Sequence, residues 1–298
     1  MEVFESFLSL LRWERLAALA NSQFFSSLIG ALAGAFAGAT AAHRIAEKAK
    51  EREAYLEQLR ATNSAIMASY LICNAFLGLK KQQIVGMYQQ FSEKSEELKA
   101  VRANPNRGHV FEFVVDLRRV YVPKTPLEVL NREVYETLNI NGRPIAAAAS
   151  IDGAMTSLQA AIEVRDAAIL RVRDQEQFSE EEKANFYFGY PLSDGSVSTE
   201  FVDSLNGIVL YADDVIFFSK LLCRDLQEYG ECIRARLLER YKGEAPKVYR
   251  IDFSGSEDAG LFPAEEKYED WLKGFKTQTD KKEQQRPPWY SKIFGKNP

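Results

Sequence analysis

The chain has 298 residues, 46% of them hydrophobic, with 38 basic and 42 acidic side chains and a formal charge of -4. That content buries one or two ordinary cores and excludes wholesale disorder, while a near-balanced charge without a basic domain argues against a dedicated nucleic-acid binder. Two histidines, and three cysteines without CxxC spacing (Cys73, Cys223, Cys232), leave no two-histidine metal motif and point to buried, reduced thiols rather than disulfides or a zinc site.

Residues 1–23 carry Phe4, Phe7, Leu8, Leu11 and Trp13 among a few charges, a composition suited to a helix lying at a membrane interface. From 24 to 42, FFSSLIGALAGAFAGATAA contains no charged residue. As a helix it would extend roughly 28 Å, close to the hydrocarbon thickness of a bilayer. It has no basic stretch of signal-peptide type before it and continues into helical sequence, so it reads as a transmembrane helix.

Within that span Gly30, Gly34 and Gly38 form GxxxGxxxG. At about 100° per residue, Ser27, Gly30, Gly34, Ala37, Gly38 and Ala41 share one flat face, while Phe25, Leu28, Ile29, Leu32 and Phe36 share the bulky one. Helices in lipid associate by close backbone approach, so the flat face is the expected contact with a second copy and predicts a homo-oligomer. Arg44, Lys48, Lys50, Arg52 and Arg60 follow the span, against Arg12 and Arg15 before it, which places the bulk of the chain in the cytoplasm by the positive-inside rule.

Residues 43–103 carry a heptad seam: Ile45, Ala49, Leu56, Leu59, Ile66, Tyr70, Cys73, Leu77, Ile84, Met87, Phe91, Leu98 and Val101 are apolar, and Arg52, Asn63, Lys80 and Lys94 interrupt it. Asn63 at an a-type position is a candidate for fixing the register of parallel chains, while a helix packed within its own domain would show the same seam. Between 65 and 79 apolar residues occupy nearly the whole circumference, which predicts burial on all sides in a domain; a second membrane segment is the alternative, for which 15 residues are short.

From 104 to 253 the sequence predicts a cytoplasmic helical domain. Thr125-Pro126 opens a helix toward Leu138, Arg143-Pro144 opens another to about Phe178, and a third runs from Phe201 to Tyr241 after the turn-rich YPLSDGS. Two runs, 110–117 and 247–253, have strand-like composition and would pair as a small ribbon. The predicted class is all-α. Residues 254–298 read as a short helix and a basic tail, solvated or touching anionic headgroups.

GIVLYADDVIFFSK (207–220) resembles the metal-binding hairpin of reverse transcriptases, with Asp116 as the nearest candidate for a third carboxylate. The longer pattern favours a helix: Phe201, Leu205, Ile208, Ala212, Val215, Leu222, Leu226, Tyr229, Ile233 and Leu237 form one seam broken at Ser219, with Asp213 and Asp214 solvated outside it. No P-loop, GxGxxG or GxSxG is present, so no catalytic residue, cofactor or metal is expected.

The glycine-faced span, then HRIAEKAKEREAYLEQLRATNSAIMASYLICNAFLGLKK, then YFGYP and DDVIFFSKLL, together resemble a group of uncharacterised bacterial single-pass membrane proteins. The resemblance implies the bacterial inner membrane and a helical cytoplasmic domain, and supplies no activity. The sequence therefore predicts a non-enzymatic, self-associating membrane protein that binds an unknown protein partner or senses a condition. A membrane-permeabilising effector of toxin or antiphage type is the alternative, and a polymerase using the aspartate pair is the third reading.

Overall fold

The computed structural model describes residues 23–104, 111–114, 118–174, 178–241 and 243–275. It is about 79% helical and has no strand among the described residues, the expected all-α class. Two compact units divide it, Met1–Glu57 and Gln58–Pro298. The expected interfacial segment falls mostly outside the described residues, and the basic tail does so from residue 276 on.

Helix α1 covers Gln23–Leu79, a π-helical turn follows at Lys80–Ile84, and α2 covers Val85–Ala103. This bears out a long helix through 103 without foreseeing the π turn. The short α3 (Leu127–Arg132) starts one residue later than proline at the first helical position would give, because Pro126 is itself the cap residue, and it widens into a second π turn at Glu133–Thr137. Then come α4 (Arg143–Asp174), α5 (Glu180–Phe188), α6 (Glu200–Arg240), α7 (Ser254–Asp258) and a 3-10 turn at Glu265–Tyr268 that leads into helical residues 269–275.

In the second unit α6 is the central helix. It runs antiparallel to the 58–103 stretch of α1 and α2: Tyr229 Oη donates to Gln58 Oε1 (2.8 Å), Ser69 Oγ to the Ser219 carbonyl (2.8 Å), Lys80 pairs with Asp213, and the Phe91 and Phe201 rings meet at 5.9 Å. It is also antiparallel to α4, since Arg143 meets Asp225, Gly207 lies against Ala161, and Arg171 Nη1 reaches Glu200 (2.6 Å). Leu59, Ile66, Ile72 and Phe76 of α1, Ile151 and Leu158 of α4, and Leu205, Ile208, Val215 and Leu222 of α6 are completely buried. The α6 seam expected from the sequence is thus the core, with only Tyr229 partly exposed.

Helix α5 has no counterpart in the sequence reading. Ser179 and Glu182 form a reciprocal capping box at its start, Gly189 (φ 73°) ends it, and it buries Phe186, Tyr187 and Phe188. Tyr187 stacks on Phe201 at 4.0 Å. The S-x-x-E pattern was the available signal.

Several expectations need correction. Of the two readings of the heptad seam, packing within the chain's own domain holds from Leu59 onward, whereas Ile45, Ala49 and Arg52 are exposed. The 65–79 stretch is not buried all round: Met67 and Leu71 are exposed along one line. No ribbon forms among the described residues; 247–253 meets a side chain instead of a strand, because Asn63 Nδ2 donates to the Lys247 carbonyl (2.9 Å) and Asn63 Oδ1 accepts from the Tyr249 N–H (2.9 Å). One amide supplies the donor and acceptor that a neighbouring strand would have offered. Of the thiols, Cys73 and Cys223 are buried and Cys232 is exposed, all three free.

This segment is locked down at Gly230, where an added Cβ would lie 3.0 Å from Val248 Cγ1 and 3.1 Å from Thr62 Cγ2. Gly230→Ala should destabilise by about 1–3 kcal/mol through overpacking, against the roughly 1 kcal/mol that alanine gains in a helix interior. Gly153→Ala on α4, with nothing within 4 Å, should stabilise by about 0.5–1 kcal/mol. Thermal unfolding of the two variants, shifting in opposite directions, checks this; two upward shifts would contradict the close contact.

Candidate functional site

The first candidate is the flat face of α1. An added Cβ at Gly30, Gly34 or Gly38 meets nothing within 4 Å, and Ser27 and Ala41 are exposed beside them. Leu32 and Phe36 on the bulky side are 61% and 77% exposed, which leaves this apolar segment without a protein covering. Two of its hydroxyls are satisfied within the helix: Ser27 Oγ donates to the Gln23 carbonyl and Thr40 Oγ1 to the Phe36 carbonyl, both at 2.7 Å. A helix whose backbone and hydroxyl groups are bonded internally presents only apolar surface, as a lipid environment requires.

Asn63 stands elsewhere. Its amide is committed to Lys247 and Tyr249 within the same chain, so the structure gives it an intramolecular clamping role in place of the interchain register expected from the heptad.

The aspartate pair forms the second candidate. Residues 207–220 are one continuous part of α6, so the hairpin reading is overturned, and Asp116 lies outside the described residues. The expectation that both acids are solvated is also corrected. Asp213 is 5% exposed, with Lys80 Nζ at 2.5 Å from Oδ1 and Lys267 Nζ at 3.8 Å from Oδ2. Asp214 is half-buried and accepts from the Tyr268 hydroxyl at 2.9 Å. Burial raises the Asp214 carboxyl above its ordinary range; the tyrosine hydrogen bond opposes this and the neighbouring Asp213 adds to it. The Tyr268 phenol is pushed upward by burial and by the same two acids.

The positions of Lys80 and Tyr268 have structural causes. Lys80 opens the π turn, a widening of the helix that is frequent at functional sites, and its ammonium reaches across to α6. Tyr268 is held by stacking on Phe217, with ring centroids 3.7 Å apart and planes at 4°. A second set of contacts secures the same segment: buried Lys220 pairs with Glu257 at 2.5 Å and sits 4.4 Å from the Phe262 ring centroid, and Trp271 packs on Phe218 at 4.8 Å. Asn206, Val209 and Leu210 of α6, Tyr88 of α2 and the Lys267–Tyr268 turn enclose a pocket of about 260 Å³ against the two aspartates.

None of Lys80, Lys220, Lys267 or Tyr268 was singled out from the sequence as a site residue. Lys80 had a signal, being a lysine in an otherwise apolar seam, which implies a buried acid opposite; Tyr268 had none. Among the described residues no group of three or more histidine, cysteine or acidic side chains could hold a metal ion. The Cys73 and Cys223 thiols are pushed far upward by burial, which makes them poor nucleophiles. Comparison with protein-family models, curated proteins and solved structures finds no match to this chain.

Proposed function

We propose that the chain is a membrane-anchored, self-associating, non-enzymatic protein whose helical domain (58–298) binds another macromolecule or senses a condition. In this reading it crosses the bacterial inner membrane once, at 24–42, with the bulk of the chain on the cytoplasmic side. The observation that carries it is the uncovered apolar segment of α1. Among the described residues two helical stretches are long and apolar enough to cross a membrane: the N-terminal window has none of its residues buried, whereas that of Arg143–Asp174 is one-third buried. Ala147, Ile151, Leu158 and Ala161 of the latter are buried, and its ends are tied to α6 by Arg143 and Arg171. Packing in the bundle accounts for its apolar residues, whereas Leu32 and Phe36 of the N-terminal segment are exposed.

Extraction tests the anchoring. The protein should stay with membranes through high-salt and alkaline washes, and its C-terminus should resist protease added to intact spheroplasts. Release by the washes would remove the membrane reading, and external cleavage of the C-terminus would reverse the orientation.

A further inference from the structure

The pocket beside the aspartate pair has a charge arrangement that selects one kind of guest. Asp213 is neutralised from the interior by Lys80 at 2.5 Å, and its other oxygen faces Lys267 at the rim, 3.8 Å away. Asp214 receives a neutral donor, the Tyr268 hydroxyl. A half-buried carboxylate has lost hydration that a hydroxyl only partly replaces, so a cation entering beside it recovers electrostatic energy. Tyr88 lines the same space beside the Tyr268 hydroxyl, and an aromatic ring favours a neighbouring ammonium over a neutral or anionic group. Val209 and Leu210, the latter half exposed, offer apolar surface for a short stem.

The chain itself supplies a stand-in. The Lys267 side chain is 60% exposed yet directs its ammonium to Asp213 at a distance too long for a tight pair. It is a weakly held internal occupant. We infer that this pocket binds a small primary ammonium with a short apolar stem, in the position that Lys267 reaches from the rim. The inference rests on the sensing part of the function proposed above and names its ligand class.

n-Butylammonium is the probe, with n-butanol and butyrate as controls at constant ionic strength, titrated into full-length protein in neutral detergent and read by calorimetry and melting temperature. Butylammonium should bind and raise the melting temperature while the controls do not. Asp214→Asn should weaken binding about tenfold, the loss of one charge-assisted contact, and Tyr88→Leu should weaken it about threefold. Lys267→Met should do the opposite, tightening binding about threefold or more by removing the internal competitor. If Asp214→Asn does not fold, the Lys267→Met arm, at an exposed residue, carries the test alone. Butyrate binding as well as butylammonium, no binding of butylammonium, or weaker binding in Lys267→Met would each overturn the inference. Membrane extraction is read separately, so failure of the anchoring and failure of the pocket are distinguishable.

Discussion

Replacing Lys80 by methionine should destabilise the helical domain by about 3–5 kcal/mol, the range for breaking a buried ion pair from one side. The side chains of Lys80 and Asp213 are 14% and 7% exposed, and their contact of 2.5 Å joins residues 133 positions apart. Without the ammonium, the buried Asp213 carboxylate keeps among the described residues only Lys267, which is mostly in solvent at 3.8 Å and cannot offset the lost hydration. Lys81→Met next door, at an exposed position of the same π turn, is the control and should change stability by less than about 0.5 kcal/mol. The double variant Lys80→Met/Asp213→Leu removes both charges and should recover most of the loss, because apolar replacements of a buried pair are often neutral or better. Denaturant unfolding of full-length protein in detergent, followed by circular dichroism, gives all three values. A Lys80→Met effect below about 1 kcal/mol would put the pair in the class of exposed salt bridges.

The sequence made the long elements of this fold legible because periodicity reports burial directly. The α6 seam from Phe201 to Leu237 is apolar at helical spacing, and that line faces the core. The same rule left the partner of the α1 seam open between another chain and the chain's own domain. A heptad from Ile45 states that a helix packs on something, and only contacts show that from Leu59 on the something is α6 of the same chain. Short elements lacked a period altogether: α5 has nine residues, and its start was written in Ser179 and Glu182 rather than in hydrophobic spacing.

The aspartate pocket was half legible for a related reason. Helix instead of hairpin followed from local pattern, but solvation depends on what arrives from elsewhere in the chain. Lys80 comes from 133 residues upstream and Tyr268 from 54 residues downstream of its partner. Asn63 shows the same limit: its position in a seam suggested a partner chain, while the groups that bind it come from 184 and 186 residues away. The strip of Gly30, Gly34 and Gly38 needs no distant partner to be read, because a run of residues without side chains is written in consecutive turns of one helix.

That strip supports the second large effect. Gly34→Leu should abolish most self-association of the chain in membranes. Gly30, Gly34 and Gly38 have open space where a side chain would begin, so substitution costs nothing within the single chain. A leucine at the central position would instead separate two backbones that approach along this face, removing the van der Waals contact that drives association in lipid. Insertion should be unaffected or improved, since leucine is more favourable in the bilayer than glycine. Phe36→Leu, on the opposite face and 77% exposed, changes bulk without touching the strip and should leave assembly nearly unchanged. Cross-linking in membranes measures both; equal oligomer yields in wild type and Gly34→Leu would remove the assembling face from the proposed function. Growth and membrane potential on overexpression, scored in the same strains, separate the two membrane readings. An anchored interaction protein leaves the potential intact in all three strains. Depolarisation by wild type that Gly34→Leu abolishes would require spans that cluster and conduct, the behaviour of a membrane-permeabilising effector.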